Sequence, residues 1–100
     1  MRIEILDEAQ RDLIDGFRFY ENQAVGLGDY FLDSLFSDID SLHLYAGIHV
    51  LQFGYHRLLS KRFPFAIYYR VKAETIFVHA VLDCRRDPAR TQKRLTIIPN

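Results

Sequence analysis

The chain has 100 residues, 49% of them hydrophobic, and one cysteine. That length makes residues 1–100 a single domain with one modest core, and the composition excludes a disordered chain and a disulfide framework. The formal net charge of zero hides an asymmetry: residues 1–50 carry 3 basic and 10 acidic side chains, residues 51–100 carry 10 basic and 3 acidic ones. A basic half rich in aromatics attracts an anionic partner, nucleic acid or an acidic protein segment, unless the two halves pair across the fold.

Arg2 to Leu6 alternates apolar and polar residues and predicts a short strand. No long apolar h-region follows Met1, so no signal peptide is readable, and no run approaches the ~20 apolar residues that span a bilayer. With the lone Cys84, this predicts a cytoplasmic protein without membrane attachment. Asp7 and Gln10 have the spacing of a capping box. The helix they open buries Ala9, Leu13, Phe17 and Tyr20 on one face and should end near Gly26.

Leu27, Phe31, Leu35, Ile39 and Leu42 mark a second helix. Leu32 and Phe36 widen its apolar arc to about half the circumference, more than the ~100° that one packed face needs. The surplus is either well buried or offered to a partner.

After Val50 the pattern becomes extended. Tyr55–Lys61, Phe65–Val71 and Thr75–Leu82 are rich in β-branched and aromatic residues and are joined by short turns, which predicts an antiparallel meander. With Ala73-Glu74 at the hairpin tip, Val71 faces Ile76, Tyr69 faces Val78, Ile67 faces Ala80 and Phe65 faces Leu82, all toward the helices. The other face then carries Tyr68, Arg70, Phe77, His79 and Val81, with Tyr68 opposite His79. Asp87-Pro88 should cap and start a short basic helix through Leu95, and the apolar tail Thr96–Asn100 should fold back or meet a partner.

The outer face predicts an open surface of cations, aromatics and one imidazole. Arg57, Lys61, Arg70, Arg85 and Arg86 are the candidate target-binding cations. If the surface handled RNA, arginines would hold phosphates, and Tyr68 or His79 would move a proton. No metal is expected, because His43, His49, His56 and His79 lack ligand spacing. Gly26-Leu27-Gly28 follows a helix rather than a strand, so no nucleotide cradle and no cofactor is expected. Cys84 with His79 makes a weak nucleophile pairing with nothing to orient the base.

The stretch from Tyr55 to Pro88, with Tyr-His-Arg, Phe-Pro-Phe-Ala-Ile-Tyr-Tyr-Arg-Val, Val-His-Ala-Val-Leu-Asp and Cys-Arg-Arg-Asp-Pro, resembles the RelE/ParE toxin superfamily of bacterial toxin–antitoxin systems. Ala9–Leu13 and the helix from Gly28 to Leu42 match that superfamily's helical hairpin. The resemblance implies an α+β domain with a short strand, a two-helix antiparallel hairpin, a three-strand antiparallel meander and a short C-terminal helix or tail. It also implies a cognate antitoxin, for which Leu32, Phe36 and Arg70 are the candidate contacts, and a homodimer or toxin–antitoxin hetero-oligomer. RelE-like members cut messenger RNA on the ribosome; ParE-like members inhibit DNA gyrase. Arg57 and Arg86 match basic positions of the RNA-cutting members, and the candidate catalytic set on that reading is Arg57, Tyr68, Arg70, His79 and Arg86. Ala66 stands where those members often place an arginine, and Gln92 about where some place a tyrosine. The doublet before Asp-Pro and the Phe-Pro-Phe turn look like the ParE-like plasmid-stabilisation branch. The resemblance thus implies gyrase poisoning, with a ribosome-dependent endonuclease and a degenerate, antitoxin-binding member as alternatives.

Overall fold

A computed structural model describes residues 1–97, with the side chain of Ile97 left aside. The predicted tail therefore lies largely outside the described residues. The elements run β1 (Arg2–Ile5), α1 (Asp7–Glu21), α2 (Leu27–Asp40), a one-turn α3 (Leu42–Tyr45), β2 (Leu51–Gln52), β3 (Tyr55–Leu59), β4 (Phe65–Lys72), β5 (Thr75–Asp83) and α4 (Pro88–Ile97). One sheet orders them β1-β5-β4-β3-β2. The predicted meander is β3-β4-β5, and β1 joins it parallel to β5. The α+β architecture is as the sequence predicts; β2 and α3 are additions to it.

Helix α1 starts differently from the prediction. Leu6 occupies the N-cap without a side-chain bond, Asp7 lies inside the first turn, and the Gln10 amide donates back to the Ile5 carbonyl at 2.8 Å. Asp7 and Glu8 favour that end through the helix dipole rather than as caps. The helix stops at Glu21, short of Gly26. The Glu21 carboxylate instead accepts from the Gly26 and Gly28 amides at 3.0 Å each, so the last residue of α1 satisfies the open N-terminus of α2. Two glycines let the helices touch. A Cβ on Gly16 would stand 2.5 Å from the Phe31 ring, and one on Gly28 would stand 2.8 Å from Phe17.

The main core lies between this hairpin and one face of the sheet. Phe31, Leu35, Leu42, Ile67, Tyr69, Ile76 and Val78 are fully buried there. Phe31 packs edge-on to Phe63 and Phe65 and stacks on Tyr20. Buried Asp38 of α2 accepts from the Ser60 hydroxyl at 2.6 Å, which ties the β3–β4 turn to the helix.

The β4–β5 register departs from the predicted one halfway along. Val71 faces Ile76 and Tyr69 faces Val78, as expected, but Tyr68 then faces Ala80, Ile67 faces Val81 and Phe65 faces Asp83. The irregularity leaves His79 as the extra residue of a β-bulge, which reverses the side-chain alternation beyond it. Val81 consequently joins the helix-side core, and Ala80 joins Tyr68 on the opposite face, the reverse of the expectation for both.

That opposite face is not open. Helix α4 lies on it, with Leu95 packed among Tyr55, Ala66, Tyr68 and Ala80. The Tyr55 hydroxyl donates to the Leu95 carbonyl at 3.3 Å. The Asp87 side chain accepts from the Ala89 amide at 2.9 Å, so the predicted Asp-Pro start holds, and the helix extends past Leu95 to Ile97. Arg94 fastens α4 to α1 through paired bonds to Asp12, both 2.9 Å, and one to Glu8 at 3.1 Å. Asp12 also accepts from the Val81 amide at 3.0 Å, beyond the point where β1 stops covering β5. The acidic and basic halves of the sequence thus pair across the fold at this junction.

Loop Gly47–Val50 is held from the sheet. The Gly47 amide donates to the Tyr69 hydroxyl at 2.9 Å, and that hydroxyl is hydrogen-bonded to His49 Nδ1. The Tyr69 hydroxyl, one donor and two lone pairs, can serve both contacts at once. The His56 Nδ1–H donates to the His49 carbonyl at 2.7 Å.

Candidate target-binding surface

Only part of the predicted cation set converges. The side chain of Arg57 leaves β3 on the α4 side of the sheet, where its Nε donates to the Tyr68 hydroxyl at 3.1 Å and its Nη2 donates to Cys84 Sγ at 3.5 Å. Arg86, from the turn between β5 and α4, lines the same cleft, together with Phe53, Pro88 and Thr91. The cleft is small, about 90 Å³. Its chemistry is two guanidinium groups, a phenol, a thiol and an aromatic ring. The Arg86 side chain has no hydrogen bond among the described residues that would hold it back from a ligand.

Arg85 turns the other way. It pairs with Asp83 at 2.8 Å and reaches the Tyr20 hydroxyl at 3.5 Å, on the α1 side. Arg85 is therefore turned to the α1 side and does not line the Arg57 cleft, whereas Arg86 stands at the rim and borders both that cleft and the cavity against α1; the expectation that both serve one surface is corrected for Arg85. Lys61 lies in the turn after β3, with its backbone amide on Asp38 of α2 at 3.4 Å, and it does not line the cleft.

Arg70 and His79 form a second group around Tyr55. The Arg70 guanidinium lies 3.9 Å from the centre of the Tyr55 ring and its Nε donates to the Gly54 carbonyl at 3.2 Å. His79 meets the same ring edge-on, 5.0 Å between centroids. The expected pairing of Tyr68 with His79 is replaced by this contact, because the bulge moves His79 out of register. Burial, and then the nearby Arg70 charge, lower the His79 pKa, so the imidazole is neutral at pH 7. Its Nδ1 is buried without a hydrogen-bond partner among the described residues. His79 lines a groove with Leu6, Glu8 and Gln10, not the Arg57 cleft.

Burial pushes the Cys84 thiol above its ordinary value against the pull of Arg57, which keeps it a thiol. No group of three or more His, Cys, Asp or Glu residues among the described residues could hold a metal ion. No helix among them is long and apolar enough to cross a membrane.

Leu32 and Phe36 lie on α2, and Phe36 is 45% exposed. They are on the opposite side of the sheet from Arg70, which shares its face with Tyr55. The Phe36 groove is edged by Asp33 and Asp40. Phe53 is a cleft residue outside the predicted set. Its signal is the Phe-Gly pair between two strands, a two-residue turn in which both residues take positive φ, 54° and 84°.

A chain of the solved structure described as "Chromosomal ParDE TA system from P. aeruginosa" superposes with a TM-score of 0.70 over 81% of this chain and 92% of that one, at 20% identity. The fold is ParE-like. No protein-family model and no curated protein matches the sequence. At this identity the likeness establishes the ParE-like architecture and leaves the surface chemistry to this chain's own residues.

Proposed function

We propose that the chain is the toxin of a type II toxin–antitoxin pair of the plasmid-stabilisation kind. On this reading it acts in the bacterial cytoplasm by binding DNA gyrase through the Arg57–Arg86 cleft, and it is held inactive by its antitoxin. The observation that carries the binding reading is the separation of the groups a nuclease would need. The one histidine of the strand face sits in another groove. Ala66, where RNA-cutting relatives often place an arginine, is fully buried under α4. Gln92 is exposed on α4 and lines none of the cleft.

The antitoxin contacts follow the same geometry. A segment touching Leu32, Phe36 and Arg70 must pass an edge of the sheet. Its part over Phe36 meets Asp33 and Asp40 and is apolar or basic; its acidic part belongs on the Arg70 side. The endonuclease remains the second reading because the Arg57–Tyr68 bond places a phenol hydroxyl beside a cation in the cleft.

Purified protein added to gyrase should inhibit supercoiling, while ribosome-bound message stays intact after brief induction. Arg57→Ala and Arg86→Ala should each weaken toxicity at least tenfold, and Arg85→Ala should change it little. Cleavage within codons that is lost in Tyr68→Phe would replace the gyrase reading with the endonuclease. Binding of neither gyrase nor ribosome by a protein that still binds the antitoxin would establish the degenerate member.

A further inference from the structure

The longest stretch of the chain without Asp, Glu, Lys or Arg runs over sixteen residues, from Ser41 to His56. Within it, Leu44, Tyr45, Ile48, Val50 and Leu51 are 80, 51, 72, 79 and 62% exposed. Scattered exposed apolar residues are ordinary, but five large ones within eight residues form a patch of the kind that marks an interface. The patch is not loose chain. Gly47 and His49 are tied to Tyr69, and the His49 carbonyl to His56.

The patch contains β2, the terminal strand of the sheet. Soluble proteins blunt such edges with charge. The other edge, β1, follows that rule with Arg2 and Glu4, which pair at 3.3 Å. β2 has no such guard. Its backbone also has a defined outward group. The Arg57 amide donates to the Val50 carbonyl at 3.0 Å, and Gln52 is paired with Tyr55 across the two-residue turn. In an antiparallel ladder the residue between two such pairs points its N–H and C=O away from the partner strand. For β2 that residue is Leu51.

We propose that this edge joins a second copy of the chain. A two-fold axis beside Leu51 lets the Leu51 N–H of each copy donate to the Leu51 C=O of the other, the exchange that defines a hydrogen-bonded antiparallel pair. The two five-stranded sheets become one, and the apolar side chains of residues 44–51 are covered. The occupant follows from charge. An isologous contact brings a surface against itself, so a charged patch would repel its copy; a patch with no formal charge is free of that penalty and offers an acidic or basic partner nothing to pair with. The inference does not depend on the toxin reading.

Sedimentation velocity of the purified chain, from micromolar to submillimolar concentration, tests it. The wild type should approach twice the monomer mass. Leu51→Lys, which sets like charges against each other at the axis, and Val50→Lys, which buries a charge opposite the partner's Gln52 and diagonal to its own copy, should remain monomeric with an unchanged circular dichroism spectrum. Val25→Lys, at an exposed site on the α1–α2 loop, should still dimerise. If either strand variant fails to fold, Leu44→Lys at the rim of the patch should weaken association at least tenfold. A wild type that stays monomeric throughout, or a dimer that survives both strand substitutions, overturns the proposal. So does a monomer whose Val50 is needed only to bind an antitoxin, which would assign the edge to a foreign strand.

Discussion

The two faces of the β3-β4-β5 meander are built from alternate residues of the same strands, yet they do different work. The face toward α1 and α2 is covered by Phe31, Leu35, Ile39 and Leu42, and its interior is closed by stacked and edge-on rings. The face toward α4 is covered by a single ten-residue helix whose buried apolar residue is Leu95, and around it lie Arg57, Arg70, Tyr55 and Tyr68. One face is thick and apolar. The other is thin, and its cover is fastened by polar contacts at its rim. A chain of 100 residues has material for only one deep core; the second face is where functional side chains can stand without dismantling the first.

The sharpest way to break this comparison is to put a charge into each face. Tyr69→Asp buries an unpaired carboxylate in the main core and should prevent folding altogether, seen as loss of the cooperative thermal transition. If α4 truly covers the second face, Tyr68→Asp should also be severe, because Tyr68 is 3% exposed. Alternation alone would make Tyr68→Asp mild. A well-folded Tyr68→Asp variant would show that α4 does not seal that face.

Next in size is the rim. Asp12→Ala removes the partner of Arg94 and of the Val81 amide together, and should cost about 2 kcal/mol in urea denaturation. Arg94→Ala should cost less, since the carboxylate it leaves keeps the Val81 bond. The double variant should fall well short of the sum if the three groups act as one unit.

A smaller effect should appear with pH. Burial, and then the neighbouring His56, lower the His49 pKa, and burial and Arg70 lower that of His79, each from an ordinary 6.5. The folded state then binds fewer protons than the unfolded chain just below that value. The stabilisation is complete above pH 6.5 and is lost as pH falls toward the folded values. Melting temperature should drop between pH 7.5 and pH 5.5, a span of ~2 units across the histidine range. A His49→Gln, His79→Gln double variant should flatten the drop. The least change sits at the hairpin tip, where Ala73 has a φ of 54°. Ala73→Gly relieves that strain and should add about 0.5 kcal/mol to stability.

Much of the fold was legible because periodicity carries it. The helices show theirs in Leu13, Phe17 and Tyr20, and in Phe31, Leu35 and Ile39; the meander shows its own in short turns and β-branched runs. The bulge at His79 was not legible. Between His79 and Asp83 both alternation sets are apolar, Ala80 and Leu82 on one and Val81 on the other, so nothing in that run marks the change of side. The docking of α4 was hidden for a different reason. Its stripe is one leucine among arginines and lysines, and Arg94 reads as a solvated cation until Asp12, 82 residues away, is placed beside it. Of the predicted site, Arg57, Tyr68 and Arg86 come together. Arg85 looked equivalent to Arg86 because sequence cannot say which side of a turn a side chain leaves. The antitoxin contacts Leu32 and Phe36 remain a proposal that rests on their place on α2.

The parallel pairing of β1 with β5 sets an order of events during synthesis. Arg2 through Ile5 are made well before their hydrogen-bonding partners, Thr75 through Val78. The helical hairpin closes over a short loop, and Glu21 can cap α2 as soon as Gly28 has been made. Closing a loop of roughly 70 residues is far slower than that, and it has to wait for the last strand. At the usual rate of roughly 5 to 20 residues per second the interval is seconds long. Throughout it the first strand, with Ile3 and Ile5 alternating against Arg2 and Glu4, is unpaired beside a finished helix pair, and an interrupted chain never acquires β5, the interior strand on which β1 pairs.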